Sequence, residues 1–97
     1  MPAARIPDSA TVVVAAGVLS STFDEELVIL NLDSGIYYGL EQVGARIWDL
    51  VRRPVRVGTI RDTLVSEYEV DPERCERDLK ALLAELAAKG IVRIELA

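Results

Sequence analysis

The sequence predicts an α+β domain: a small antiparallel three-stranded sheet followed by three α-helices. Two observations carry this. Up to Leu40 the apolar residues come in short β-branched or aromatic runs, broken by Gly17, Asp24-Glu25-Glu26 and Asp33-Ser34-Gly35. From Val43 onward they recur at helical spacing. Strands first and helices after is the α+β order. Ninety-seven residues suffice for one modest core and not for two, so residues 1–97 read as a single domain.

Residues 1–10 carry Pro2, Pro7 and small or polar neighbours, and are expected to be a poorly ordered end leading into a strand. Thr11–Ala15 is a short strand candidate ended by Gly17, and Leu19–Phe23 is a second. Val28–Leu32 and Ile36–Leu40 flank Asp33-Ser34-Gly35, which reads as a hairpin whose glycine takes the left-handed position. Together these give a meander of three or four strands with short connections. In the last strand Ile36, Tyr38 and Leu40 share one face, Tyr37 and Gly39 the other.

The first helix is expected from about residue 41 to 52, with Val43, Ile47, Leu50 and Val51 on one side and Arg53-Pro54 ending it. The second spans about residues 57 to 68; Gly58 weakens its start and Arg56 is a poor cap. The third has clear signals. Asp71 is a good N-cap, Pro72 suits the first helical position, and Gly90 sits where a left-handed C-cap belongs. Cys75, Leu79, Leu82, Leu83 and Leu86 form its apolar stripe, and Ile91–Leu96 alternates as a closing strand. The second and third helices resemble a helix-turn-helix with the hairpin as its wing.

Composition narrows the function. There is no histidine, which removes the commonest general base and metal ligand together; neither a metal site nor a cofactor is expected. The carboxylates fall in turns and on a mixed-charge helix face, where solvation explains them. Cys75 stands near a helix N-terminus, which favours a thiolate, yet Leu79 one turn on makes an inert or half-buried thiol the preferred reading. An enzyme is not expected. No apolar run approaches the ~18–20 residues of a membrane span, and a single cysteine excludes an internal disulfide and suits a reducing cytoplasm.

The strand Ile36–Leu40 is the last of the meander and lacks a further partner, so its outer N–H and C=O groups are available. Proteins blunt such edges with Pro or Lys, and this one has neither. An extended peptide can add there as the next strand. Equally, the N- or C-terminal segment can cover the edge, and the pattern alone leaves both open.

A resemblance favours the first. The run LNLDSGIYYGLEQVGARIWDLV, followed by VDPERCERDLKALLAELAAKGIV, resembles the PqqD family, recognition elements that bind the leaders of ribosomally made precursor peptides. Leu30, Leu32, Gly35, Tyr38, Leu40, Val43, Gly44, Ile47 and Trp48 carry it, with the Asp71-Pro72 helix start and the Leu82-Leu83, Leu86, Gly90 ending. It covers about residues 18–94. Two departures, Glu41 where the family often has Asn and Arg56 where Ser or Thr is common, touch caps and not the groove.

The resemblance implies that a leader lies antiparallel to the hairpin's second strand, in a groove beside the third helix. The implied peptide-binding residues are Asp33, Ser34, Gly35, Ile36, Tyr37, Tyr38 and Gly39 with Arg74, Cys75, Asp78, Ala81 and Leu82. A free-standing chain of this kind resembles the leader-binding proteins of lasso-peptide pathways, whose partners are a transglutaminase-like leader peptidase and a cyclase. It also resembles the member that serves a radical SAM enzyme in pyrroloquinoline quinone biosynthesis. Val12–Val14 and the LDSGIYYGL hairpin favour the lasso branch.

A winged-helix DNA-binding protein is the remaining alternative, and the charges oppose it. The third helix balances Arg74, Arg77, Lys80 and Lys89 against Glu73, Glu76, Asp78 and Glu85, while the second sets Arg61 against Asp62 and Glu67. Neither is net basic, and the chain carries −5 overall. We therefore expect no sequence-selective complex with duplex DNA in a mobility-shift assay at about 150 mM salt.

Overall fold

The computed structural model describes residues 6–96. In chain order the elements are β1 (Thr11–Val14), β2 (Val18–Phe23), β3 (Glu26–Asn31), β4 (Tyr37–Glu41), α1 (Val43–Val51), β5 (Val55–Arg56), α2 (Val57–Tyr68), α3 (Pro72–Ala88) and β6 (Val92–Glu95). The α+β class and all three helices match the expectation. The sheet does not match it fully, because the strands divide into two three-stranded antiparallel sheets.

The meander is β2–β3–β4. β1 was expected to join it and does not. It lies between β5 and β6, pairing Val12 with Val55 on one side and with Ile94 on the other. The reason is burial. Val12 is fully inaccessible, and closing the two ends of the chain over the helices covers it better than a further wing strand can. Ile6 and Ala10 are buried as well, so the expected loose end fails for residues 6–10. Residues 1–5 lie outside the described residues.

Residues 6–10 have a second task. The first amides of a helix have no partner within it, and Arg56 offers no side-chain cap to α2. The carbonyls of Ala10 and Asp8 accept from Val57 and Gly58 at 2.9 and 3.0 Å instead. Gly58 makes this approach possible, since a Cβ there would stand 3.3 Å from Asp8 Cβ and 3.4 Å from its carbonyl oxygen. The glycine that weakens the helix in sequence terms thus lets the N-terminal segment cap it.

Ion pairs hold the same junction. Arg61 bonds Asp8, Glu76 (2.7 Å) and Asp62 (3.1 Å), and Lys80 reaches Asp8 at 3.1 Å and Glu76 at 3.4 Å. Hydrogen bonding from Arg61, against the opposing effect of burial, lowers the Asp8 carboxyl to about 2. With 46% of its side chain exposed, screening keeps the contribution to stability small.

The hairpin loop is longer than the expected three residues. Asn31 ends β3 and is the one buried polar residue among the described residues, 8% exposed. Its Oδ1 accepts from the amides of Asp33 (2.9 Å) and Ser34 (3.3 Å), and its backbone carbonyl accepts from Gly35. That wrap turns Leu32 out to solvent, 56% exposed, and leaves Ile36 as the end of the loop rather than in the strand. Asn31 Nδ2 donates to the Gly90 carbonyl at 2.9 Å, tying the wing to the end of α3. Gly90 has φ +73°, and a Cβ on it would stand 2.9 Å from Asn31 Nδ2.

Two outcomes follow. Asn31→Ala removes three side-chain hydrogen bonds and strands a carbonyl, so it should cost about 2–3 kcal/mol in urea unfolding. Asp8→Asn tests the ion cluster by pH. The folded-state value is depressed, so its stabilisation is present above about pH 4 and fades as pH falls towards 2. Wild type should therefore melt above the variant at pH 6, and the difference should shrink steadily on acidification to pH 2.

Candidate functional site

β4 is an edge. Among the described residues it pairs with β3 alone, Leu30 to Tyr37, Ile29 to Tyr38, Val28 to Gly39, Leu27 to Leu40 and Glu26 to Glu41. The two ends of the chain form the other sheet, so neither β1 nor β6 covers this edge. Since Asn31 N–H bonds the Ile36 carbonyl, antiparallel alternation turns the backbone groups of Tyr38 and Leu40 towards β3. Those of Tyr37, Gly39 and Glu41 point outward.

Side chains follow the same alternation. Leu40 is buried and Tyr38 half-buried on the inner face, while Tyr37 is 74% exposed on the outer one. Tyr38 meets the C-terminal half of α3. Lys89 Nζ stands 5.7 Å from the centre of its ring, and burial together with the Glu85 carboxylate pushes its phenol above the usual value.

Beyond the end of β4 a groove of about 620 Å³ opens between the helices. Val43, Gly44 and Ile47 of α1 form one wall, Leu64, Tyr68 and Val70 the end of α2 and its turn, and Cys75, Leu79 and Leu82 the α3 side. Asp71, Arg74 and Asp78 supply its polar border. Val43, Tyr68 and Val70 stand 38–42% exposed, an apolar rim with nothing upon it among the described residues. The chain passes from strand to helix here within one residue, Gln42, at φ 51° and ψ −117°. That region suits glycine and costs other residues of order 1–3 kcal/mol. Gly44 then lets α1 sit close, since a Cβ there would come within 3.0 Å of Leu40 Cδ2.

Four of the expected residues, Arg74, Cys75, Asp78 and Leu82, border this groove together. Tyr37, Tyr38 and Gly39 lie along the strand that leads to it. Asp33, Ser34, Gly35 and Ile36 are exposed in the loop at the opposite end of β4. Ala81 is exposed and outside the groove lining, on the solvent side of the strip that runs through Arg74, Asp78 and Glu85. Val43, Gly44, Ile47, Leu64, Tyr68, Val70, Asp71 and Leu79 were missed. The helical spacing of Val43, Ile47, Leu64, Tyr68 and Leu79 marks a core face, and only the uncovered rim shows that part of that face is open. Cys75 is half-buried, and burial raises its thiol against the pull of Arg61, so the sulfur is an uncharged part of the wall.

An open strand edge running into an apolar groove has no acid–base pair at its centre, and its free groups are hydrogen-bond donors and acceptors of the backbone. Such a surface is able to accept an extended chain, with strand bonds along the edge and side chains in the groove.

Comparison with known proteins identifies relatives of this fold. No curated protein sequence matches the chain. The structure of TbiB1 in complex with the TbiA(beta) leader peptide is similar at 40% identity and a TM-score of 0.78, over 84% of this chain and 94% of that one. A lasso peptide synthetase B1 complexed with the leader peptide is similar at 27% identity and 0.76, over 84% and 96%. The PqqD truncation of Methylobacterium extorquens PqqCD, a stand-alone recognition element, shares the fold at 23% identity and 0.77, over 96% and 99%. The model of the family described as coenzyme PQQ synthesis protein D (PqqD) matches residues 26–92, from the start of β3 into β6. The chain belongs to the PqqD family.

Proposed function

We propose that this protein binds the leader segment of a ribosomally made precursor peptide and delivers it to a leader peptidase and a cyclase in lasso-peptide biosynthesis. One observation carries the reading: the free outer edge of β4 leads into the apolar groove at the α1–α3 junction. The leader adds as an antiparallel strand along Tyr37–Glu41, its alternate side chains entering the groove bordered by Val43, Asp78 and Leu82. Asp33 to Ile36 sit at the end of its path, and Ala81 lines the outer lip. The likeness to two leader-bound structures, one of them 40% identical, supports the lasso branch over pyrroloquinoline quinone biosynthesis.

The role is recognition without turnover. About four strand bonds, each contributing roughly 1 kcal/mol net, and two or three apolar side chains at roughly 1.5–3 kcal/mol each outweigh the cost of ordering a leader of about 2–5 kcal/mol. No catalytic group is needed for that. A radical SAM partner is the competing assignment, and reconstitution separates the two. Leader removal by a peptidase that accelerates on adding this protein supports the lasso reading. Acceleration of a radical SAM reaction alone would replace it.

Binding by strand addition makes a sharper forecast at the backbone. With leader present, hydrogen exchange should slow at the Tyr37 and Gly39 amides, which point outward. The Tyr38 and Leu40 amides, already bonded to β3, should change little. Tyr37→Pro and Gly39→Pro each delete one outward donor and should weaken leader binding about tenfold, equivalent to about 1.4 kcal/mol, while the fold survives at an edge position. Slowing confined to α1 or α2, with the β4 amides unaffected, would place the peptide elsewhere.

A further inference from the structure

The β2–β3–β4 sheet has a second face that the leader reading does not use. Its register sets Leu19, Leu30 and Tyr37 in one row across the strands, Ser21, Val28 and Gly39 in the next, and Phe23, Glu26 and Glu41 in the third. The opposite face, with Leu27, Ile29 and Leu40, packs on the core. On the outer face Leu19, Phe23 and Tyr37 stand 57%, 71% and 74% exposed. Half-buried Leu30 and Val28 lie between them in the register, so the apolar groups are joined across the face, and such groups mark a contact surface.

Charge says what kind of partner fits. Glu26 and Glu41 are directly paired across the strands on this face, and like charges so placed destabilise a sheet. Asp24 and Glu25 continue the acidic border into the β2–β3 turn. None of these four takes part in an ion pair among the described residues, and Glu26 and Glu41 alone of the acidic residues face each other directly across paired strands. A second copy of the chain would bring the same carboxylates, and anionic lipid or nucleic acid would be repelled. A basic protein surface relieves the repulsion.

We propose that this outer face is the docking surface for the leader peptidase that processes the bound precursor, through an apolar patch on that enzyme bordered by lysine and arginine. The inference rests on the leader reading, because position links the two. Tyr37 and Glu41 belong to β4, so a protein seated on the outer face touches the strand beside which the leader lies. The enzyme is then held next to its substrate without contesting the groove.

The test uses residues away from β4. Leu19→Ser with Phe23→Ser removes the apolar patch, and Glu25→Lys reverses one border charge. All three positions are exposed, and circular dichroism and melting confirm folding. Fluorescence anisotropy with labelled leader peptide reads the groove, and calorimetry with the purified leader peptidase of the pathway, leader absent, reads the face. The variants should hold leader affinity within about twofold and lose at least tenfold in peptidase affinity. Variants that bind the peptidase as wild type does would overturn the docking surface. So would wild-type self-association, by sedimentation equilibrium, that the double variant abolishes, since a second copy would then own the face. Absence of leader binding by wild type would instead overturn the reading of the groove, which the calorimetry does not depend on.

Discussion

A single carboxamide holds the two halves of this protein in register. Asn31 uses its oxygen to wrap the hairpin loop and its nitrogen to reach the Gly90 carbonyl at the end of α3. Buried polar groups demand partners, and here every partner is backbone, so the side chain fixes main-chain positions directly. Its effect is to tie the hairpin to the end of α3. Tyr38, Glu85 and Lys89 meet on the same side, and Leu40 packs against Gly44 of α1 next to the groove.

The open edge of β4 is a consequence of where the chain ends go. β1 and β6 zip together over the helices and leave β2–β3–β4 with two free edges. Of those, only β4 runs into an apolar groove. β2 ends instead in the acidic turn, and its Leu19, Ser21 and Phe23 look out on the exposed outer face. One small sheet therefore offers two surfaces of different chemistry. The first is a backbone edge that leads to an apolar groove, the second an apolar face with an acidic border.

Glycine placement serves both surfaces. Gly44 brings α1 against Leu40 at the mouth of the groove. Gly39 leaves the outer face flat, with the Glu26 side chain lying across the space that a Cβ would occupy. Gln42, between them, bears a backbone conformation better suited to glycine. Strain there is offset by Ile47, Trp48 and Val51, all buried within the next three turns.

The sequence by itself determined the local structure. The Asp71-Pro72 start of α3, its Gly90 stop, the left-handed Gly35 and the span of α2 are all visible, because caps, φ preferences and helical period act over a few neighbouring residues. The face alternation that turns Tyr38 inward and Tyr37 outward was equally legible. Tertiary structure alone decided what partners those elements take. β1 left the meander for β6, eighty residues away in sequence, because a strand's pattern specifies a face and not a neighbour. Val43 and Tyr68 stand one turn from their buried neighbours Ile47 and Leu64 at the same helical spacing, so no periodicity separates groove from core. Whether an apolar helix face is covered depends on which distant element reaches it, and that is a property of the assembled chain.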